Sequence, residues 1–304
     1  MEALHSPELS PAVAAIVVNY NGGSLLLDCV QSLLAVPCIR RVVIADNGSV
    51  DGSLARVRGA VQDTDRLLIL ENGKNLGFAA GCNRAVPFAE ADYLLFVNPD
   101  CVVNPAAIDR VLAVLADHPE ACMAGCLIRN PDGSEQAGCR REIPTPWRSL
   151  SRVLHLHRFF PDDPRFAGFN LAHRPLPDAP VAVEVISGAF MLVRRSSLER
   201  VGLLDERYFL HCEDMDWCLR FGKAGYTILF VPDVWVLHEK GACSRARPLF
   251  VEWHKHRSMT LFYRLHFQAS YPLPLLWLVT AAVWLRFAAK ALVWSGRNIL
   301  SLIP

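Results

Sequence analysis

The stretch Tyr93-Leu94-Leu95-Phe96-Val97-Asn98-Pro99-Asp100 constrains the fold more than any other. Its uncharged apolar run from Tyr93 to Val97 has the pattern of a central parallel strand covered on both faces. Pro99 has no N–H to give to a sheet ladder, so the strand must end before it. Asp100 then stands just beyond a strand's carboxyl end, where open α/β sheets hold their ligands. Asn-Pro-Asp also suits a plain turn, and the rest of the chain has to decide between the two.

The flanking chain alternates strand and helix at short spacing. Apolar β-branched residues predict a strand over 12–18, ending in Asn19-Tyr20-Asn21-Gly22-Gly23, and helical spacing follows from Leu25 to Leu34. A second strand over 41–45 ends at Asp46-Asn47-Gly48-Ser49, and Asp51-Gly52-Ser53 supplies capping chemistry for the next helix. A third strand, 67–70, leads through Asn72-Gly73-Lys74-Asn75-Leu76-Gly77 into a small-residue helix over 78–88. After the pivotal strand, a helix over 105–117 carries proline in its first turn. This alternation predicts βαβ units with right-handed crossovers, hence an α/β fold with a parallel sheet. The strand ends at Asn19, Asp46 and Asp100 should open on one sheet edge as a crevice for a polar ligand. Neither Gly-x-Gly-x-x-Gly nor Gly-Lys-Ser/Thr occurs, which disfavours a dinucleotide dehydrogenase or a P-loop enzyme.

Length and charge set wider bounds. The 304 residues suffice for one large or two small domains. With 31 basic and 30 acidic residues, no global field points to nucleic acid. The ten cysteines include no Cys-x-x-Cys pair and lie mostly in apolar segments, as reduced core thiols of a cytosolic protein would. Cys122 and Cys126 stand one helical turn apart, with no second ligand pair nearby. Residues 1–11 are polar without an apolar signal core and read as a loose tail.

From 130 to 180 the periodicity lapses into a stretch rich in Pro, Arg and His, expected to form a long excursion across the sheet. His155 and His157 there read as solvated loop residues. A strand over 181–193 holds Ser187-Gly188-Ala189, and Glu213-Asp214-Met215-Asp216 opens an apolar helix ending at Gly225. Acids in a first turn suit the helix dipole. Three of them beside an apolar run should also repel one another and raise at least one pKa. Short strands over 227–231 and 234–237 deliver His238 toward the same crevice, although a lone His is usually structural.

These blocks together resemble the inverting family 2 glycosyltransferases with the GT-A fold, most closely a bacterial rhamnosyltransferase-like branch. The matching text is Ile16–Asn21, Asp46–Ser53, Asn75–Asn83, Asn98–Asp100, Ser187–Arg195, Leu204–Glu206, Glu213–Arg220 and His238, in order over about residues 12 to 265. The resemblance implies a Rossmann-like, mostly parallel central sheet. Asn19 and Asp46 would bind the nucleotide's base and ribose, with Asn21, Asn47 and Ser49 beside them. Asn75, Gly77 and Asn83 would line the donor pocket. Asp100 would be the last acid of an Asp-x-Asp metal motif whose first acid is here Asn98, and His238 a further ligand for Mg2+ or Mn2+. Asp214 would be the catalytic base with a raised pKa, crowded by Glu213 and with Asp216 as its rival. The implied reaction moves a sugar, first L-rhamnose from dTDP-L-rhamnose, to a lipid-linked saccharide in cell-surface polysaccharide synthesis. A UDP-hexose or UDP-hexosamine donor, a nucleotidyltransferase, and a non-catalytic assembly subunit are the competing readings. The second should show an early basic phosphate loop, which is absent, and the intact Asp100, Asp214 and His238 argue against the third.

The divisions expected are a tail to residue 11, a catalytic domain over 12–268 and an apolar segment over 269–304. The domain would split into a nucleotide half, 12–128, and an acceptor half, 129–268. Arg245, Arg247, Lys255, Arg257 and Arg264 make the preceding stretch basic, suiting anionic lipid or an acceptor's diphosphate. The last segment carries Trp277, Trp284 and Trp294, with Arg286 and Lys290 one turn apart. Two cations mid-span cost roughly 5–7 kcal/mol on insertion scales. A helix lying in the interface at the cytoplasmic membrane face is therefore expected over a true span, a shallow hairpin or an oligomer contact.

Overall fold

A computed structural model describes residues 11–62, 65–160, 163, 166, 168–241 and 247–300, apart from the side chains of 157, 158 and 296–300. Residues 1–10 and 301–304, the His157 side chain, Cys243 and Arg245 lie outside the described residues. The first half runs β1 (Val13–Asn19), α1 (Leu25–Leu34), β2 (Ile39–Asp46), α2 (Ser53–Ala60), β3 (Leu67–Glu71), α3 (Phe78–Ala85), β4 (Tyr93–Val97), β5 (Cys101–Val103), α4 (Pro105–Asp117) and β6 (Ala121–Arg129). The second runs β7 (Arg140–Arg141), α5 (Pro146–Val153), α6 (Leu156–Phe159), β8 (Val181–Ala182), β9 (Val185–Ile186), β10 (Phe190–Arg194), α7 (Leu198–Val201), α8 (Glu213–Lys223), β11 (Thr227–His238), α9 (Pro248–Phe267) and α10 (Leu273–Leu300).

The main sheet is ordered β3-β2-β1-β4-β10-β6-β11-β5, with β8 added on β11. β3, β2, β1 and β4 pair in parallel. The chain moves outward from β1 to β3 and returns to β4, so the topological switch falls between β1 and β4, where such sheets open a crevice. Strand β1 is buried on both faces. Val13, Ala15 and Val17 join the cluster under α1 and α4, while Ala14, Ile16 and Val18 join the one under α3 and α8. Trp217 of α8 is fully buried, edge-on to Phe96 of β4 with ring centroids 5.0 Å apart.

Several elements differ from the sequence expectation. β5 and β6 were not expected as strands, and Cys122 and Cys126 lie on β6, facing different core clusters. The nine cysteines among the described residues are buried thiols outside any disulfide. The expected strand over 181–193 breaks into β8, β9 and β10. The two strands expected over 227–237 are one, irregular between Val231 and Trp235 because Pro232 cannot join the ladder. The 130–180 excursion is anchored: buried Arg140 donates to both Glu135 oxygens at 2.9 and 3.1 Å.

At the C-terminus, Leu273–Ser295 is, among the described residues, the one helix long and apolar enough to cross a membrane. Its mean hydropathy is 1.6 and only 11% of it is buried. Its cations turn inward: Lys290 pairs with Glu252 of α9 at 2.5 Å, and Arg286 borders a groove against α9. Trp277, Leu285 and Leu292 are left 69–74% exposed on the apolar side.

Candidate active site

The ends of β1 and β2 are tied together by one amide. Asn19 Nδ2 donates to Asp46 Oδ1 at 2.8 Å, Ser49 Oγ at 2.9 Å and Ser53 Oγ at 3.0 Å, and its Oδ1 accepts from Gly22 N at 3.1 Å. Asp46 Oδ2 accepts from the Gly48 and Ser49 amides. Asn21, held at φ 56, accepts from Val50 N and donates its own N–H to Ser49 Oγ. Asn19 is wholly buried with every polar atom engaged, so it frames the crevice floor and has no free atom for a base.

A second amide ladder continues along the edge. Asn47 Nδ2 donates to Gly77 O at 3.0 Å and Asn75 Oδ1 at 3.3 Å, while Asn72 donates to Asn47 Oδ1. Asn75 Oδ1 also accepts from Gly77 N. Gly77 sits at φ 87, and a Cβ there would lie 2.4 Å from the Phe209 carbonyl oxygen, to which Phe78 N donates. Only glycine admits that crossing. Asn83 departs from expectation: it clamps Leu204 and Glu206, away from this ladder.

Beyond β4, Asp100 and His238 meet because β11 pairs antiparallel with β5, His238 opposite Cys101. His238 Nε2 lies 3.0 Å from Asp100 Oδ1 and 3.4 Å from Asn98 Nδ2. Gln136 sets the ring. Its NH2 donates to Asn130 Oδ1 and the His238 carbonyl, so its Oε1 faces His238 Nδ1 at 2.7 Å and takes that proton. Nε2 and Asp100 Oδ1 then stand together as two donor atoms that a divalent cation can share. Asp100, Cys101 and His238 offer ligand atoms within 4.8 Å of one another. The buried Cys101 thiol donates to Ala189 O, and burial keeps it protonated, leaving oxygen and imidazole donors of the kind Mg2+ and Mn2+ accept.

The third group enters at the N-terminus of α8. His211 and Cys212 precede it at φ 66 and 69, a strained pair that aims Glu213 and Asp214. Asp214 Oδ2 accepts from Gly188 N at 3.2 Å and pairs with Arg141 of β7. Ala189, next along, accepts from Asn98 N at 3.1 Å, so Asp100 and Asp214 flank one turn. Burial alone would raise the Asp214 pKa, but the Arg141 charge and hydrogen bond, with the Gly188 and Met215 amides, hold it below the ordinary carboxylate value. The expected upward shift falls on Glu213, which burial and then the Asp214 charge push up to about 8. Asp216, the expected rival, is 1% exposed and has both oxygens engaged, by Arg220 at 2.8 Å and His266 at 2.6 Å. Arg141 escaped the sequence reading because nothing local marks a cation 73 residues from its carboxylate. Gln136 and Lys240 were further omissions; Lys240, two residues past His238, feels the Asp214 charge.

Glu213 makes stability depend on pH. Its folded pKa of about 8 exceeds the ordinary 4.5, so its contribution is fully present below 4.5 and lost as pH rises through 8. Native protein should lose on the order of 5 °C in Tm between pH 5 and 9 through this group, and Glu213→Gln should flatten that slope. Parallel melting curves for the two proteins would sink the assignment.

Comparison with known proteins gives a consistent result. The profile of "Glycosyl transferase family 2" matches residues 14–202. The N-acetylglucosaminyl-diphospho-decaprenol L-rhamnosyltransferase of Mycobacterium tuberculosis is 31% identical over 291 residues, spanning 91% of this chain and 92% of that protein. Rhamnosyltransferase WbbL of Escherichia coli K12 is 29% identical over 176 residues, 55% of this chain and 62% of that one. Among solved structures, a mannosyltransferase from Pyrobaculum calidifontis, in complex with GDP-Man and Mn2+, superposes with a TM-score of 0.60 at 18% identity, covering 98% of this chain and 83% of that one.

Proposed function

The chain belongs to glycosyl transferase family 2, and from that premise we propose that it transfers L-rhamnose from dTDP-L-rhamnose to a polyprenyl-diphosphate-linked saccharide, with inversion. The observation that carries this reading is the near full-length similarity to the mycobacterial rhamnosyltransferase. Supporting it is the juxtaposition of Asp100, His238 and Asp214 around the 187–189 turn.

In this reading the Asn47–Asn75–Gly77 ladder and the Asp46 loop border the nucleotide. Asp214, kept ionised by Arg141, accepts the acceptor hydroxyl's proton as that oxygen attacks the anomeric carbon from the face opposite the leaving diphosphate. The anomeric C–O bond to phosphate breaks, and the nucleoside diphosphate leaves with the bonding pair. Mg2+ or Mn2+ on Asp100 and His238 would neutralise charge developing on that diphosphate. Arg141 also holds the base at a fixed angle, which matters because a misplaced base forfeits much of its rate advantage.

The catalytic domain would end near 268, and α10 would rest its outward apolar side on the cytoplasmic membrane face, where a lipid-linked acceptor is presented. Incubation with dTDP-L-rhamnose, Mn2+ and polyprenyl-diphosphoryl N-acetylglucosamine should yield a product heavier by one deoxyhexose. Turnover of UDP-N-acetylglucosamine or UDP-glucose in its place would overturn the donor assignment.

A further inference from the structure

The active-site carboxylates do not account for a second concavity, a groove of about 1400 Å³ between the α5–α6 excursion, α9 and α10. Its two sides differ in chemistry. Val279, Val283 and neighbouring residues of α10 form an apolar wall, while Arg152, Lys255 and Arg286 converge on it as cations and, among the described residues, Asp163 is the one acid along it. Neither Lys255 nor Arg286 forms an ion pair or a hydrogen bond among the described residues, and Arg152 only lies over the Phe169 ring at 4.8 Å. The cations feel one another: Arg152 is depressed by burial and then by Arg286, and Lys255 by burial, against the attraction of Glu252, and by Lys290 and Arg286. These three cations are exposed along an apolar wall, a pairing of chemistries that suits an anion with a hydrocarbon tail.

The groove also leads to the right place. α9 is its shared wall with the catalytic loop, since Ser258 Oγ donates to Leu210 O at 3.0 Å and His254 stacks on Phe209 at 4.3 Å. Lys255 lines the groove, and both it and Asp214 lie close enough to His211 to act on its charge. The far wall is α10, whose outward side is apolar and exposed.

We propose that this groove binds the diphosphate of a polyprenyl-diphosphate-linked acceptor among Arg152, Lys255 and Arg286, with the first isoprene units lying along Val279 and Val283 of α10. The identity of the occupant rests on the function proposed above; the anion-plus-hydrocarbon chemistry rests on the groove alone. The diphosphate end then points past Lys255 toward Asp214, which delivers the attached sugar's hydroxyl to the base.

Binding of farnesyl diphosphate, followed by isothermal titration on the full chain, tests this without any transfer. The Lys255→Gln/Arg286→Gln pair should weaken binding at least about tenfold with an unchanged Tm, and Val283→Asp should do so separately through the apolar wall. Arg286→Glu alone gives the same direction should the pair misfold. Unchanged affinity in these variants overturns the proposal. So does equal affinity of the unaltered protein for inorganic pyrophosphate and farnesyl diphosphate, which reports a phosphate site without a lipid wall. Loss of phosphatidylglycerol-vesicle binding with farnesyl diphosphate affinity intact reports a headgroup surface and also overturns it. A chain that binds farnesyl diphosphate here yet transfers no sugar keeps the groove and loses the function.

Discussion

Asp214→Asn should lower kcat by about a thousandfold, roughly 4 kcal/mol of barrier, while nucleotide-sugar binding stays within a factor of a few. Gly188 N and Met215 N donate to different oxygens of Asp214; asparagine preserves size and its single oxygen keeps one of these two bonds, so the pocket largely keeps its shape. What disappears is the capacity to take a proton. Glu213 is a poor substitute, because burial, the largest cause of its raised pKa, persists when the Asp214 charge is removed, and the residue is only 7% exposed. Asp216 is no better, since both its oxygens are committed to Arg220 and His266. Arg141→Met gives a companion signature: with the cation gone, burial is the largest remaining influence on Asp214, and the acid limb of the kcat profile should move to higher pH. Near-normal turnover in Asp214→Asn, measured alongside donor binding, would remove Asp214 as the base.

The frame of this site was legible where local chemistry and period agree. β1, β2 and β4 end in Asn19, Asp46 and Asn98-Pro99-Asp100, and both hydropathy and Pro99 mark those ends in sequence. Strand β6 was not legible: Ala121-Cys122-Met123-Ala124-Gly125 has no β-branched residue, and what makes it a strand is burial between β10 and β11. Gly125 is tolerated there because the Ile186 side chain packs where a Cβ would stand. Roles within the site were harder to assign than membership. Asn19 stands at the sheet edge beside Asp46, yet its amide is consumed by Asp46, Ser49, Ser53 and Gly22. Crowded acids correctly signalled a raised pKa, but which acid carries it depends on Arg141, placed by a β7–β9 pairing that no periodicity announces.

Asp100→Asn should raise the Mn2+ concentration for half-maximal activity by about a hundredfold and lower kcat by a comparable factor, because an amide offers a cation a dipole in place of a charge. Gln136→Ala separates ligand from orienting residue. It leaves Asp100 intact but frees His238 Nδ1 from its 2.7 Å partner, so the ring loses its fixed tautomer. A loss of about tenfold in cation affinity is expected, with kcat recovering at saturating Mn2+. Asp214→Asn should leave the cation midpoint where it was, since its carboxylate lies across the Gly188 turn from His238. These three responses distinguish a cation-binding pair from a purely structural Asp–His contact. If the contact were structural, Asp100→Asn and Gln136→Ala would each lower Tm and neither would move the Mn2+ titration, and that pattern would leave the leaving diphosphate's charge to Arg141 and Lys240.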